Sequence, residues 1–201
     1  MNLHMHMLQI NFGDDTPRLQ GRLNLNPLSH VEPIGLVMLI VAGFGWGRPV
    51  QIDPRNFNGK YSLSKAEAIV AAAGPIMNIL LAFVFLIIYY ILEVTNVLSS
   101  LSYQWQNVVV QIVVSTVSIN VGLGIFNLIP VPPLDGSKIL MNFLPISKRE
   151  WFYNNESIFY IVFLLLVITD FASVIITPII TGVLSGMDWI VYNIFKLLSL
   201  I

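Results

Sequence analysis

The sequence predicts an all-α integral membrane protein with about three transmembrane helices, a short re-entrant segment and room for a small β-hairpin. Apolar residues fill 56% of the 201 positions and charged residues only 10%, whereas a soluble domain carries about 25% charged residues. The mean hydropathy is +0.77. Because no internal repeat or low-complexity linker divides the chain, we expect residues 1–201 to form a single membrane-embedded domain.

The composition also limits the chemistry and the partners. The chain has no cysteine, which excludes disulfide bonds, thiol nucleophiles and thiolate metal sites. A metal would need imidazole and carboxylate ligands, and the histidines are His4, His6 and His30. The net charge is -1 and no basic stripe is present, so we expect the lipid bilayer, and no nucleic acid, as a partner.

The first part of the chain predicts short elements. Residues 1–32 are polar to mixed, and the alternation of Leu and Asn over residues 23–26 predicts a short strand. The apolar run over residues 33–44 is too short to span a bilayer, because a spanning helix needs about 20 residues. It therefore predicts a re-entrant or partly inserted segment.

Three later apolar stretches are long enough to cross a membrane, and they cover about residues 66–92, 108–128 and 158–180. Asp170 lies within the third stretch and marks a buried partner or a shallow helix end, of which we favour the helix end. Trp189 and Tyr192 favour a short interfacial helix over residues 188–201.

Lysine and arginine predict the orientation of these spans. The loop at residues 48–65 holds four of them and the loop at 138–149 holds three, while the loop at 93–106 holds none. Two spans separate the basic loops, so both lie on one side of the membrane. The positive-inside rule places loops 48–65 and 138–149 in the cytoplasm.

Residues 127–136 carry the strongest signal for a functional site. Three prolines within positions 130–133 forbid a continuing helix after the second span, and the segment ends in the carboxylate of Asp135. A broken helix at membrane depth lines a wet cavity or packs against protein, and an ionisable group there predicts a functional site. The alternative is a surface loop in which Asp135 caps the next helix.

A second signal lies at the start of the first span. Small residues over 71–74, followed by Pro75, allow another helix to approach closely. Asn78 follows one turn later and is costly in lipid unless it is paired. Asn120 and Asn127 share one face of the second span and could line a polar seam with Asn78. The alternative is ordinary helix packing, in which these asparagines hold the helices together.

Together these segments resemble the site-2 protease family of intramembrane zinc metallopeptidases. That family carries an A-G-P-x-x-N signature, matched here by residues 73–78, and a later N-x-x-P-x-P-P-L-D-G signature, matched by residues 127–136. Residues 13–30 and 44–50 are similar to its compact bacterial subgroup. The resemblance covers about residues 6–145 and implies a multi-pass protein of the bacterial plasma membrane.

The resemblance implies that a zinc-activated water hydrolyses peptide bonds of transmembrane protein substrates. Family members bind zinc through both histidines of an H-E-x-x-H helix and a distant Asp, and the Glu takes a proton from the metal-bound water. By this resemblance, Asp135 is a zinc ligand, and Asn78 and Asn127 orient the substrate or polarise the site. Pro132 and Pro133 would hold Asp135 at the cavity.

The H-E-x-x-H pattern is absent from this sequence, so the catalytic Glu is missing. If one residue is missing before Gly13, His6 takes the place of the second histidine, and Asn2 and Leu3 stand where the first histidine and the Glu belong. His4 cannot replace the first ligand, because residues two apart on a helix point about 200° apart. We expect the chain as it stands to be inactive, and we favour the loss of N-terminal helices over a natural relative without catalysis.

Three further points stay open. His30 lies shortly before the apolar run, either as a loop histidine bonded to backbone or as a group that supports or gates a metal site. A non-catalytic relative that binds transmembrane segments is one alternative function. A small transporter or channel component is another, because broken helices also occur there, although we see no paired halves of the kind transporters show.

Overall fold

Helices form the regular structure of this protein. The computed structural model describes residues 2–24, 26–42, 45, 47–48, 51, 53, 56–59, 62–169 and 171–198. Within these ranges it has a 3-10 helix at Pro27–Ser29, no β-strand, and ten α-helices. Their bounds are α1 Asn2–Asn11, α2 Thr16–Leu19, α3 Pro33–Ala42, α4 Leu63–Val94, α5 Val97–Ser100, α6 Tyr103–Asn127, α7 Asp135–Phe143, α8 Ile146–Asn154, α9 Glu156–Ile168 and α10 Phe171–Leu197.

Three of the described helices are long and apolar enough to cross a membrane. They are Leu63–Val94, Tyr103–Asn127 and Val174–Leu197. The prediction of an all-α membrane protein with three spans is therefore confirmed. The first two spans lie where the sequence predicted them, each a few residues longer at one end or both.

The predicted position of the third span is wrong. The apolar stretch over residues 158–180 is interrupted, because α9 ends at Ile168 and Thr169 lies in a turn. Asp170 lies outside the described residues. The spanning helix instead continues through Asp188, so a separate helix over residues 188–201 is also wrong.

A hydrogen bond explains why α10 passes through a carboxylate. The Tyr90 hydroxyl of α4 donates to Asp188 Oδ1 at 2.9 Å. Phe195, which lies on α10 like Asp188, packs its ring against the Tyr90 ring, and the two ring centroids are 5.3 Å apart. In the sequence, Asp188 suggests the boundary of a helix. In the structure, its carboxylate is hydrogen-bonded by Tyr90 of α4, and α10 continues past it.

The core of the bundle lies between α4, α6 and α10. Val113, Val117 and Val121 lie one helical turn apart on α6, and they are buried together with Ala82 of α4 and Met187 of α10. At the end of α6, Gly124 allows a close approach: a Cβ there would lie 3.2 Å from the Pro75 carbonyl oxygen. The small residues near Pro75 therefore admit a neighbouring helix, as the sequence predicted.

The first half of α4 also carries α1 and α7. Met5 of α1 is buried against Val70 and Ala73 of α4, and α7 packs along the same helix. Lys138 of α7 lies close enough to Glu67 of α4 for Coulombic attraction. Consequently α1, the start of α4 and α7 gather at one end of the bundle, and the Tyr90–Asp188 pair lies toward the other end.

The predicted short strand at residues 23–26 is wrong for the residues that the structure describes there. The Asn24 side chain donates to the Gly21 carbonyl oxygen at 2.7 Å, and its own oxygen accepts from the Asn26 amide at 2.9 Å. These local bonds fold the backbone into a turn and compete with strand pairing. Leu25 lies outside the described residues.

The short apolar run is helical, as α3. Most of its described apolar side chains are exposed: Ile34, Leu36, Val37, Leu39, Ile40 and Val41. Such exposure is typical of a helix that faces lipid or another apolar partner. Its re-entrant insertion remains a prediction.

We predict that Tyr90→Phe lowers the free energy of unfolding by about 0.6–1.7 kcal/mol, the range for hydrogen bonds between transmembrane helices. The measurement is reversible unfolding by SDS in mixed micelles. Tyr192→Phe is the matched control, because Tyr192 lies on the same helix as Asp188 and is exposed. Equal stability of both variants would show that the Asp188 hydrogen bond does not support α10.

Candidate functional site

The proline segment forms a tight connection between α6 and α7. The Val131 amide donates to the Ile129 carbonyl oxygen at 2.9 Å, and the Leu134 amide donates to the Val131 carbonyl oxygen at 3.0 Å. Pro132 is buried, Pro133 is exposed, and the peptide bond that joins them is cis. The segment is therefore a run of tight turns between α6 and α7, and Asp135 begins α7.

Asp135 is the first residue of α7 and is partly buried. Burial raises the pKa of its carboxyl to about 6, and the charge of Lys138 opposes this rise. Leu134 occupies the N-cap position and no side chain caps the helix, so the alternative in which Asp135 serves as the cap is wrong. The position suits a carboxylate because the helix dipole favours negative charge in the first turn.

Gly136 lets this turn close. A Cβ at this position would lie 2.2 Å from the Leu128 carbonyl oxygen and 2.5 Å from that of Ile129. Both contacts involve backbone atoms, so no side-chain rotation could relieve them. The Asp-Gly pair of the motif thus has a structural reason: only glycine allows the end of α6 to lie against the start of α7.

His6 lies on the buried face of α1, with 1% of its surface exposed. Its Nδ1 atom is 3.0 Å from the side-chain oxygen of Gln9, one turn later on the same helix. Its Nε2 atom is buried without a hydrogen-bond partner. Burial lowers the pKa of the imidazole, because desolvation disfavours the charged form.

Asp14 anchors the surroundings of His6 and is fully buried. Its carboxylate accepts hydrogen bonds from the Thr16 amide at 3.1 Å, the Thr16 hydroxyl, the Asp53 amide at 3.0 Å and the Asn56 side chain at 3.3 Å. The Gln9 side chain donates to it at 3.4 Å. This carboxylate therefore binds the loop after α3 to the end of α1.

Sequence reasoning missed Gln9 and Asp14 as parts of this site. The run Gly13-Asp14-Asp15-Thr16 suggested only a turn. The pattern of an Asp followed two residues later by Thr is typical of a side chain that bonds its own backbone, and it could have indicated Asp14. The donors from the distant loop follow only from the tertiary structure.

His30 lies beside His6. The two rings stack with centroids 6.1 Å apart and an interplanar angle of 23°. His30 Nε2 is 3.0 Å from the Asn24 carbonyl oxygen, and its Nδ1 is buried without a hydrogen-bond partner. The backbone of His30 is also held in place, because the Arg48 amide donates a hydrogen bond to the His30 carbonyl oxygen at 2.9 Å. Phe44, Trp46, Pro49 and Val50 of the 44–50 segment lie outside the described residues.

The three candidate asparagines, Asn78, Asn120 and Asn127, differ in burial and in hydrogen bonding. Asn78 is buried within α4, with 5% of its surface exposed. Asn120 and Asn127 each donate to a carbonyl oxygen one turn earlier on α6, those of Thr116 and Leu123, at 2.8 Å. These bonds to their own helix satisfy part of the amide polarity that the bilayer would otherwise penalise.

The residues present do not complete a three-ligand zinc site. Among the described histidine, aspartate and glutamate side chains, no three come together in a group that could hold a metal ion. A catalytic zinc site needs three protein ligands and an open position. In the part of the chain that the structure describes, the predicted ligands His6 and Asp135 therefore belong to no group of three potential ligands.

We predict that Gly136→Ala destabilises the protein by about 1–3 kcal/mol or more, as overpacking against fixed backbone does. Thermal unfolding in detergent measures this change. Gly186→Ala is the control, because a Cβ there meets nothing within 4 Å, and it should be neutral or slightly stabilising. Equal behaviour of the two variants would contradict the close approach at the Asp-Gly turn.

Comparisons with known proteins agree with the family resemblance. The model of peptidase family M50 matches residues 29–169. A Bacillus subtilis (strain 168) protein named "Putative zinc metalloprotease YwhC" is 38% identical over 195 residues, which cover 94% of this chain and 81% of that protein. A Streptococcus pyogenes serotype M3 protein named "Putative zinc metalloprotease SPs1691" is 56% identical over 32 residues, 16% of this chain and 8% of that protein. No solved structure matches the chain. The chain thus belongs to peptidase family M50, the site-2 protease family.

Proposed function

We propose that this protein serves intramembrane proteolysis of the site-2 protease type, with membrane-anchored proteins as substrates and Asp135 as a metal ligand. The observation that carries the proposal is the position of Asp135. It is a partly buried carboxylate at a helix break, packed beside α4, in a chain of family M50. A carboxylate in such a place is costly unless it binds something.

The other predicted residues take supporting roles in this proposal. Asn78 and Asn127 orient the substrate, and Pro132 and Pro133 set the position of Asp135. Zinc is the expected metal, since the relatives are named as zinc metalloproteases. The described residues lack a third ligand and the sequence lacks H-E-x-x-H, so no hydrolytic step is assigned to the chain as it stands.

We also propose that the protein lies in the bacterial plasma membrane with its basic end in the cytoplasm. Lys138 and Arg149 both lie close enough to Glu67, near the start of α4, for Coulombic attraction. Basic side chains therefore gather at the end of the bundle that holds Asp135. Residues 95–102, between α4 and α6, contain no lysine or arginine. Arg55 and Lys60 of the basic loop lie outside the described residues. The charge asymmetry supports a cytoplasmic site.

The orientation predicts opposite accessibility for two exposed serines. The chain has no cysteine, so Ser99→Cys and Ser147→Cys each introduce a single thiol at an exposed position. In intact cells, a membrane-impermeant maleimide should label Ser99→Cys and leave Ser147→Cys unlabelled until the cells are opened. The reverse pattern would contradict the proposed orientation.

Restoring the missing motif tests the metal ligands. The double variant Asn2→His/Leu3→Glu would complete H-E-x-x-H on α1, with its two histidines one turn apart. We expect the parent chain to lose zinc to mild chelation, and the double variant to retain about one zinc per chain. Zinc content after chelation is measured by atomic spectroscopy, and cleavage of a model transmembrane substrate is measured in proteoliposomes.

Two controls make this test specific. Asn2→His/Leu3→Gln should bind zinc without cleaving, because it lacks the general base. Adding Asp135→Ala to the double variant should remove the retained zinc, because a metal ligand is lost. Unchanged zinc retention after Asp135→Ala would exclude Asp135 as a ligand.

A non-catalytic member of the family that binds transmembrane segments is the second candidate. Leu3 stands where the catalytic Glu belongs, and this favours binding without cleavage. Photo-crosslinking of a model transmembrane segment to the parent chain, together with no cleavage by the double variant, would support this candidate over the protease.

A further inference from the structure

The short connection between α7 and α8 is held in place by an arginine. Only two residues separate the two helices, and Pro145 occupies the N-cap position of α8. The Arg149 Nε atom donates to the Leu144 carbonyl oxygen at 2.8 Å, and a second guanidinium nitrogen lies 3.5 Å from the Asn142 carbonyl oxygen. Because both oxygens lie at the end of α7, the charge of Arg149 is used to fix this turn.

Lys148, the neighbouring basic residue, faces an open cleft. Its side chain is exposed and forms no ion pair in the part of the chain that the structure describes. The cleft has a volume of about 380 Å³, and its other walls are Leu144, Ser147, Trp151 and Phe152. Ligand sites typically have volumes of about 300–1,000 Å³. The cleft thus combines one positive charge and one hydroxyl with an apolar, aromatic wall.

Aromatic contacts join this cleft to the next apolar helix. Phe152 stacks on Phe159 of α9 with ring centroids 4.6 Å apart and an interplanar angle of 4°. Trp151 meets the same ring edge-on, with centroids 5.8 Å apart. Farther along α9, Ile161 and Leu164 are apolar and exposed. Tryptophan beside a lipid-facing helix is typical of the level at which membrane and water meet.

The residues next to those that line the cleft are apolar and strongly exposed. Phe143 is 77% exposed, Ile146 is 72% exposed and Tyr153 is 57% exposed. An apolar patch beside a positive charge fits a lipid surface, which takes up apolar side chains and presents anionic headgroups. A soluble acidic segment of another protein would satisfy Lys148 and leave these apolar side chains in water. The patch therefore favours lipid as the occupant.

We propose that this cleft binds an anionic phospholipid. The Lys148 ammonium and the Ser147 hydroxyl donate to the headgroup phosphate, and the upper part of an acyl chain lies along Trp151 and Leu144. A zwitterionic headgroup binds less well, because its own ammonium group opposes the single charge of Lys148. The site requires neither Asp135 nor an H-E-x-x-H motif, so it goes beyond the proposed protease function.

The test is lipid binding by the purified full chain in detergent, measured by isothermal titration calorimetry. Dioctanoyl-phosphatidylglycerol should bind more tightly than dioctanoyl-phosphatidylcholine. Lys148→Gln should weaken the binding of phosphatidylglycerol about fivefold, the effect of one basic side chain near anionic lipid, and should remove the preference over phosphatidylcholine. Lys148→Arg should keep that preference, because the positive charge is kept.

Lys196→Gln is the matched control for charge. Lys196 is an exposed lysine in the last turn of α10, next to Phe195, which packs on Tyr90 toward the other end of the bundle. This variant should bind phosphatidylglycerol as the parent chain does. Trp151→Ala should weaken the binding of both lipids and keep the preference between them, because it removes apolar wall and no charge. Helical circular dichroism checks that each variant is folded.

A photoactivatable phosphatidylglycerol in proteoliposomes locates the site, and mass spectrometry should map its crosslinks within residues 144–152. Crosslinks confined to other segments would overturn the proposal. Equal affinity for the two lipids in the parent chain, full affinity in Lys148→Gln, or an equal loss in Lys196→Gln would do the same. Displacement of the lipid by inorganic phosphate or by polyglutamate at the same concentration would also overturn it, because the apolar wall would then contribute nothing.

Discussion

Helices in a bilayer gain little from hydrophobic burial against one another, because lipid is as apolar as their side chains, so close packing must hold them together. In this protein that packing depends on the small residues of α4. Val70 and Ala73 receive α1, Ala82 receives α6 and α10, and the backbone near Pro75 lies against Gly124. Because α4 supports α1, α6, α7 and α10, a bulky residue on its small face would separate the elements that form the candidate site.

Several buried polar groups around Asp14 are satisfied by one another. Asp14 accepts donors from Thr16, Asp53 and Asn56, and it fixes Gln9, which in turn orients His6. In a setting of low polarity, an unmet donor or acceptor is costly. His6 Nε2 and His30 Nδ1 are buried without a hydrogen-bond partner and stay outside this network.

The proline segment and the stacked rings of His6 and His30 belong to the same end of the bundle. The break after α6 places Asp135 on α7, which packs on α4, while α1 holds His6 against the same helix. The family relationship favours a joint metal site for Asp135 and His6. The described residues do not close such a site. By the family resemblance, Asn2 stands where the motif needs its first histidine and Leu3 where it needs its glutamate.

The sequence alone determined the helical class, three spans, the break at residues 127–136 and the family, because each depends on local composition or on contiguous motifs. It could not locate the third span, since the helix continues through Asp188 only when Tyr90 of α4 donates to it. It misjudged residues 23–26, where the side chain of Asn24 competes with strand pairing. The pairing of His6 with His30 was decided by tertiary structure, because the loop that carries His30 meets α1 only after the chain has folded, and neighbouring residues in the sequence carry no record of that contact.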